Sequence, residues 1–335
     1  MSLAYDRVEP PLAALSALTE AKRVLIMGHE NPDGDSLGSS MALARALSQL
    51  GKDVTVGYQG RLYHHLLFLL EDAPAPVALT RPEDLVNYPL LVLVDCPHPN
   101  RVWPGFEDLS LLPPWLIIDH HPTQPPQVGP LAVFHHPGAS STGELAFQVI
   151  EKLGVIWERN LAEALLAAIM SDTGFFSQSN VTAESFRQAS VLVAAGARCD
   201  FVVNRIKRNW TGPRVKLLRL ALATLEVTLS GHLASMLLSQ AMLEEAGATL
   251  DDMEGFVEYP RSMAGTEVAA LFRVDGHGHT RVSLRSSLNF SVREIAEYFG
   301  GGGHHQAAAY TDLTREPAEA RERFMARAKR FLSPR

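Results

Sequence analysis

Cysteine is scarce in this chain of 335 residues: Cys96 and Cys199 are the only two. Two thiols cannot build a disulfide framework, so a fold stapled for an oxidising compartment is excluded. Long apolar runs are missing too. No stretch approaches the roughly 18–20 residues that a membrane-spanning helix needs. The N-terminus, Met1 to Pro10, carries neither the basic nor the apolar region of a secretory signal. A cytoplasmic location is therefore expected. Positive charge is not in excess either: 30 Lys and Arg stand against 37 Asp and Glu, a formal charge of −7. That balance argues against binding long nucleic acid through bulk charge. Two divalent ions held by carboxylates would add four positive charges and bring −7 to about −3.

What is present is a globular composition, 46% apolar and 20% charged, with enough length for two domains. The first two-thirds alternates short apolar runs with helical patterns. Arg23 to Met27, Val54-Thr55-Val56, Leu90 to Val94 and Trp115 to Ile118 read as strands, and their continuous apolar character is that of a parallel sheet buried on both faces. Ser36 to Leu50, Gly143 to Leu153 and Leu161 to Met170 read as helices, with Gly51 and Gly154 as stops. The alternation predicts an α/β fold with a doubly wound parallel sheet over residues 1–197.

Between Arg198 and Arg219 seven basic residues, Lys207 among them, meet one acid, Asp200. Residues 198–230 are expected to form a basic, partly helical linker, either a solvated face or an anion-attracting wall. A smaller α/β domain follows over 231–335. Its strands are expected at Leu233 to Leu238, Val268 to Arg273 and Arg281 to Arg285, with a turn at Asp275-Gly276-His277-Gly278. Helices are expected at Val292 to Phe299 and Glu316 to Leu332.

The chemistry concentrates at the ends of these elements. The strand Arg23 to Met27 runs into His29-Glu30-Asn31-Pro32-Asp33-Gly34-Asp35, a tight turn before a helix. Asp95 follows the strand ending in Val94, Asp119-His120-His121 follows Ile118, and Asp172 follows Met170. A lone Asp after a strand is usually a cap or a turn residue. Parallel strands, however, present their C-terminal ends on one edge, so these groups converge. Crowded carboxylates repel unless cations neutralise them. Oxygen-rich sites with some imidazole suit Mn²⁺ best and Mg²⁺ second. One carboxylate can bridge two ions about 3.5–4 Å apart and hold a hydroxide for in-line attack on phosphorus. Cys96 is expected to pack rather than to bind zinc. Phe175-Phe176 could stack on a base or pack in the core, and Asn180 and Thr182 are expected to cap the following helix.

His29-x3-Asp33-x-Asp35, Asp95, Asp119-His120-His121 and Asp172, in this order, resemble the DHH phosphoesterase superfamily. Gly300-Gly301-Gly302-Gly303-His304 with Ala307-Ala308 resembles its DHH-associated C-terminal domain, with Ala309 where the family usually has Gly. The two-domain form is similar to nanoRNA-degrading oligoribonucleases that also dephosphorylate 3′-phosphoadenosine 5′-phosphate (pAp). The resemblance implies that His29 and Asp33 bind one metal and that Asp35, His120 and Asp172 bind the other, with Asp95 bridging. It implies that His121 contacts the scissile phosphate and assists the leaving group, and that Asp119 orients a histidine. Arg285, Gly301, Gly302, Gly303 and His304 would form a substrate clamp. The implied partners are short single-stranded oligonucleotides and small nucleotides, with no long duplex and no membrane. Alternatives are a RecJ-like single-strand exonuclease, a family II inorganic pyrophosphatase, which shares only the N-terminal motif, and a non-enzymatic nucleotide-sensing module.

Overall fold

A computed structural model describes residues 7–72, 76–79, 81–104, 106, 108–208, 210–287, 290–303, 305–328, 330 and 331. His304 lies outside the described residues. The chain divides into two units, 1–209 and 210–335.

The first unit is built on a six-stranded parallel sheet in the order β3-β2-β1-β4-β5-β6. Its strands are β1 (Arg23–Met27), β2 (Asp53–Tyr58), β3 (Val77–Ala78), β4 (Leu91–Val94), β5 (Trp115–Asp119) and β6 (Ala132–His135). The central strands β1, β4 and β5 are apolar on both faces, because helices cover one side and a second apolar cluster covers the other. Cys96 belongs to that second cluster with Leu93, Trp103 and Ile117, and its thiol donates to the His98 carbonyl. Burial pushes this thiol up to about 12, so it packs as a small hydrophobe.

The helices are α1 (Leu12–Glu20), α2 (Gly34–Gln49), α3 (Thr142–Leu153), α4 (Arg159–Asp172), α5 (Ala183–Ala194) and α6 (Cys199–Val203), followed by a π turn, Asn204–Arg208. Helix α2 is buried on nearly every side for most of its length, because small residues let α4 lie close against it. A Cβ on Gly38 would stand 2.6 Å from the Ala164 carbonyl oxygen. The order of winding reverses between the parallel neighbours β1 and β4: β2 and β3 lie beyond β1, and β5 and β6 beyond β4. The crevice at such a reversal, outside the carboxyl ends of the strands, is where open α/β sheets bind ligands. The turn after β1 and the residue after β4 both open there.

The second unit carries a mixed six-stranded sheet in the order β11-β12-β10-β9-β8-β7. Its elements are α7 (Gly212–Leu222), β7 (Glu226–Thr228), β8 (Leu233–Leu238), α8 (Gln240–Ala246), α9 (Glu258–Arg261), β9 (Val268–Val274), β10 (Thr280–Ser286), α10 (Val292–Tyr298), β11 (Gly302–Gly303), β12 (Ala307–Asp312) and α11 (Pro317–Ala328). Only β8 and β9 run parallel. One face packs Phe272, Leu284 and Tyr310 against α10 and α11. The other face packs Met236, Leu238 and Leu271 beneath α7 and α8. The basic stretch is therefore not one uniform segment: Leu217 and Ala221 of α7 are core residues of the second unit.

Strand β10 alternates buried and half-buried residues, which places Arg281, Ser283 and Arg285 together on its more open face. Ala307 and Ala309 of β12 pair with Arg285 and Ser283. The glycine run serves this sheet directly. A Cβ on Gly301 would lie 2.2 Å from the Ala309 carbonyl oxygen, and one on Gly303, at φ +142°, 2.5 Å from that of Ala307. Gly302 has open space where a Cβ would be.

Candidate metal centre

The loop after β1 folds back through Asn31, which adopts a left-handed φ of 53°. Asp33 then does two things at once. Its Oδ1 accepts from the backbone N–H groups of Asp35 and Ser36, both at 3.0 Å, and caps α2. Its Oδ2 turns toward His29 Nε2, 3.7 Å away. The capping role and the site role thus belong to the two oxygens of one carboxylate. Asp35 begins α2 wholly buried. Asp95 follows β4 with a φ of 58°, a strained conformation that Asp tolerates better than most residues. Its amide still completes the ladder to the Ile118 carbonyl at 2.9 Å.

Three groups of ligand-type atoms form among the described residues: His29, Asp33 and Asp95; Asp35, His120 and Asp172; and Asp95, His120 and His121. His29 Nε2 stands 3.4 Å from Asp95 Oδ2. His120 Nε2 stands 3.1 Å from Asp172 Oδ2 and 3.7 Å from both Asp35 Oδ2 and Asp95 Oδ1. Asp95 therefore belongs to groups on both sides. The six residues expected as ligands come together; none lies apart.

Each imidazole is set from behind. His29 Nδ1 meets the Glu30 carbonyl at 2.8 Å, and His120 Nδ1 meets the Ala139 carbonyl at 3.3 Å. A carbonyl only accepts, so Nδ1 carries a proton and Nε2 is the atom left facing the carboxylates. Asp119, fully buried, accepts from the His121 amide at 3.0 Å and faces His121 Nδ1 at 2.8 Å. That is the orienting position expected for Asp119. His135 was not signalled by the sequence; its Nε2 donates to the His121 carbonyl at 2.6 Å and so braces the same corner.

The electrostatics are those of a site short of positive charge. Burial, reinforced by repulsion from Asp95 and Asp172, pushes Asp35 well above the usual carboxylate range. Burial also raises Asp172, against the attraction of His120. Burial disfavours charge on His29 and His120, yet the facing aspartates outweigh it and raise both well above the usual imidazole range. Protons are thus held where cations are wanted. The donor set fits a divalent ion: hard carboxylate oxygens with imidazole nitrogens, separated by little more than the roughly 3 Å that two neighbouring ligands of a small octahedral ion span.

Helix α3 supplies a support that the sequence gave no sign of. The amides of Thr142 and Gly143, at its N-terminus, donate to the two oxygens of Asp35 at 2.7 and 2.8 Å. Thr142 Oγ1 donates to Asp95 Oδ1 at 3.0 Å. Ser39 Oγ adds a bond to Asp35 at 3.2 Å. A carboxylate at a helix N-terminus is stabilised by the free N–H groups and the dipole. The local pattern Ser140-Ser141-Thr142-Gly143 marks a helix start, and Ser141 is indeed the cap, but nothing local says what that start will hold.

Beyond Asp172 the chain makes a left-handed turn, Gly174-Phe175-Phe176, with φ values of 55°, 62° and 61°. Both rings are half-buried against the core. Phe176 stacks on Phe186 at 5.2 Å, and the Lys207 ammonium lies over the Phe175 ring at 3.9 Å. Thr182 caps α5 as expected, in a capping box with Ser185. Asn180 does not cap it. Its amide instead donates to the carbonyls of Ser140 and Asp172, at 2.9 and 3.0 Å, because the turn brings those two acceptors to one side chain. In the second unit, Arg285 Nε lies 3.3 Å from Glu258 Oε1, and the guanidinium remains about a third exposed.

Comparisons with known proteins agree with this geometry. The DHH family, N-terminal domain, matches residues 23–169, and the DHHA1 domain matches residues 233–333. The bifunctional oligoribonuclease and PAP phosphatase NrnA of Thermus thermophilus is 32% identical over 310 residues, 92% of this chain and 90% of that protein. An exopolyphosphatase-related protein from Bacteroides fragilis shares the fold at a TM-score of 0.84 and 24% identity, over 97% of this chain and 99% of that one. RecJ of Thermus thermophilus in complex with Mn²⁺ matches at a TM-score of 0.53 and 18% identity, over 99% of this chain but 57% of that one. With both domain types matched in order and a relative aligned along almost its whole length, the chain belongs to the DHH family of phosphoesterases.

Proposed function

We propose that this protein is a metal-dependent phosphoesterase that hydrolyses very short RNA to mononucleotides and pAp to AMP. The observation that carries the chemistry is Asp95: it stands between a group containing His29 and Asp33 and a group containing Asp35, His120 and Asp172. Two divalent ions held by these groups, Mn²⁺ by preference and Mg²⁺ second, would supply charge neutralisation at phosphorus and a water of lowered pKa. The relative that aligns through both domains is a bifunctional oligoribonuclease and PAP phosphatase, which supports the substrate class.

The chain's own residues then divide the work. Asp95 binds on both sides, and Thr142 fixes the orientation of its carboxylate. His121, with Nδ1 set by Asp119, contacts the attacked phosphate and gives a proton to the leaving oxygen, a task suited to an imidazole near neutral pH. The candidate metal ligands belong to unit 1–209, and the residues proposed to recognise substrate, Arg285 among them, belong to unit 210–335. Arg285, already turned by Glu258, takes a non-scissile phosphate, and Gly302 leaves room for it. Gly301 and Gly303 keep the edge of that sheet closed up, and His304 completes the clamp.

The test is a product assay on pyrophosphate, pAp, the dinucleotide pApA and RNA of graded length. Exhaustive chelation is expected to abolish turnover, with Mn²⁺ restoring it best. Activity on pyrophosphate alone would replace this reading with that of a pyrophosphatase. Degradation of long single strands in preference to short ones would replace it with that of an exonuclease.

A further inference from the structure

Two irregular stretches of backbone meet at one contact in the first unit. The first is the left-handed turn Gly174-Phe175-Phe176, which starts two residues after Asp172. Consecutive non-glycine residues at positive φ are unfavourable, and such strain persists where the surroundings enforce it. Here the enforcement is visible: the Phe175 amide donates to the Met170 carbonyl at 2.7 Å, and the Phe176 amide to Thr173 Oγ1 at 3.1 Å. The second is the π turn Asn204–Arg208, a rare geometry that recurs at functional sites.

The π turn carries three basic side chains, and they are not alike. Arg205 is spent on Glu71 and on the face of Phe201. Arg208 bonds Asn204 Oδ1 at 3.3 Å. Lys207 is exposed and has no carboxylate partner among the described residues; its ammonium rests on Phe175. An exposed ammonium on a ring keeps most of its donors open, while the ring restricts where it can go. Its ring partner lies in the turn that leaves Asp172, one of the candidate metal ligands.

We infer that Lys207, seated on Phe175, is a contact on the first unit for a non-scissile phosphate of the oligonucleotide, and so a determinant of substrate selection. This rests on the phosphoesterase reading. The alternative is that Lys207 merely props the strained turn. The two roles differ in salt dependence: an exposed contact between ammonium and phosphate is screened by salt, and packing on a ring is not.

The experiment compares wild type, Lys207→Gln and Lys207→Arg on pApA across a series of KCl concentrations, with metal content measured by elemental analysis. Lys207 is on the surface, so both variants keep the fold. Lys207→Gln is expected to raise KM about five- to tenfold, to leave kcat within about twofold, and to flatten the dependence of log KM on log salt. Lys207→Arg is expected to retain the wild-type slope. An unchanged slope in Lys207→Gln overturns the inference, as does a fall in kcat accompanied by loss of metal, the signature of a prop. If the wild type, fully loaded with metal, turns over neither pApA, pAp nor short RNA, the phosphoesterase reading fails and this inference falls with it.

Discussion

At the scale of single residues, the site is a matter of which oxygen faces which way. Asp95 has a histidine from each ligand group beside it, His29 and His120. Asp95→Ala should lower kcat/KM by about a thousandfold or more, some 4 kcal/mol of transition-state stabilisation, with loss of bound metal. A drop of only threefold, under about 1 kcal/mol, is far too small for a shared ligand. His121 is a different case. It lies next to His120 in the chain, but its Nδ1 is engaged most closely by Asp119, at 2.8 Å, with Asp95 Oδ1 farther off at 3.5 Å. His121→Ala should keep the metal content of the wild type while kcat falls about a hundredfold or more, the range for a lost general acid. Loss of one ion in that variant would reverse the roles assigned to the two histidines.

At the scale of elements, helix termini do the positioning. Helix α2 starts at Asp33 and α3 starts at Ser141, and both starts face the same crevice. Thr142→Val keeps the shape of the residue and its amide bond to Asp35 but removes the hydroxyl that holds Asp95. Metal affinity, read by titration calorimetry, should weaken about ten- to a hundredfold, as for other outer partners of ligands, with the far-ultraviolet spectrum unchanged. Wild-type affinity would remove Thr142 from the site. In the second unit, α11 is tied to β12 by Arg323 and Asp312. Burial alone would raise Asp312, but Arg323 and Thr314 outweigh it and hold its carboxyl below the usual range. A group depressed in the folded state stabilises above its unfolded pKa and loses that contribution as pH falls through its folded pKa. Arg323 is half exposed, so Arg323→Ala should cost only about 0.5–1 kcal/mol at pH 7. Urea unfolding of the variant and wild type should converge as pH falls below the usual carboxylate range; an equal penalty at neutral and at acid pH would exclude Asp312 as the partner.

At the scale of the whole molecule, metal ligands and proposed substrate clamp lie on different units. Arg285 is far along the chain from every metal ligand, and its nearest charged partner is Glu258 in its own unit. Arg285→Ala should therefore change selection more than chemistry, costing about tenfold to a hundredfold on short 5′-phosphorylated substrates. A chromogenic phosphodiester without that extra phosphate should lose much less. The ratio of the two activities decides it, and an equal loss on both would return Arg285 to a structural role.

The kinds of ligand and the edge they share could be read from the chain. Apolar runs such as Leu91–Val94 and the turn His29 to Asp35 are local signals, and parallel strands send their ends to one side whatever the loops do. Other elements carry little local signal. Strand β12, with its run of alanines, has a composition depleted in strands and becomes one only because β10 and β11 lie on either side; β6 is four residues long. The supports of the site were illegible for a stronger reason. Thr142 reaches Asp35 across 107 positions, Asn180 reaches Ser140 rather than capping its own helix, and Lys207 meets Phe175 through a strained turn. The sequence by itself determined which residues make up the candidate metal centre, because ligand chemistry and strand ends are properties of short segments. Only the tertiary structure decided what holds those residues in place, because each such bond joins atoms made neighbours by sheet order and helix packing, which leave no periodic trace in the chain.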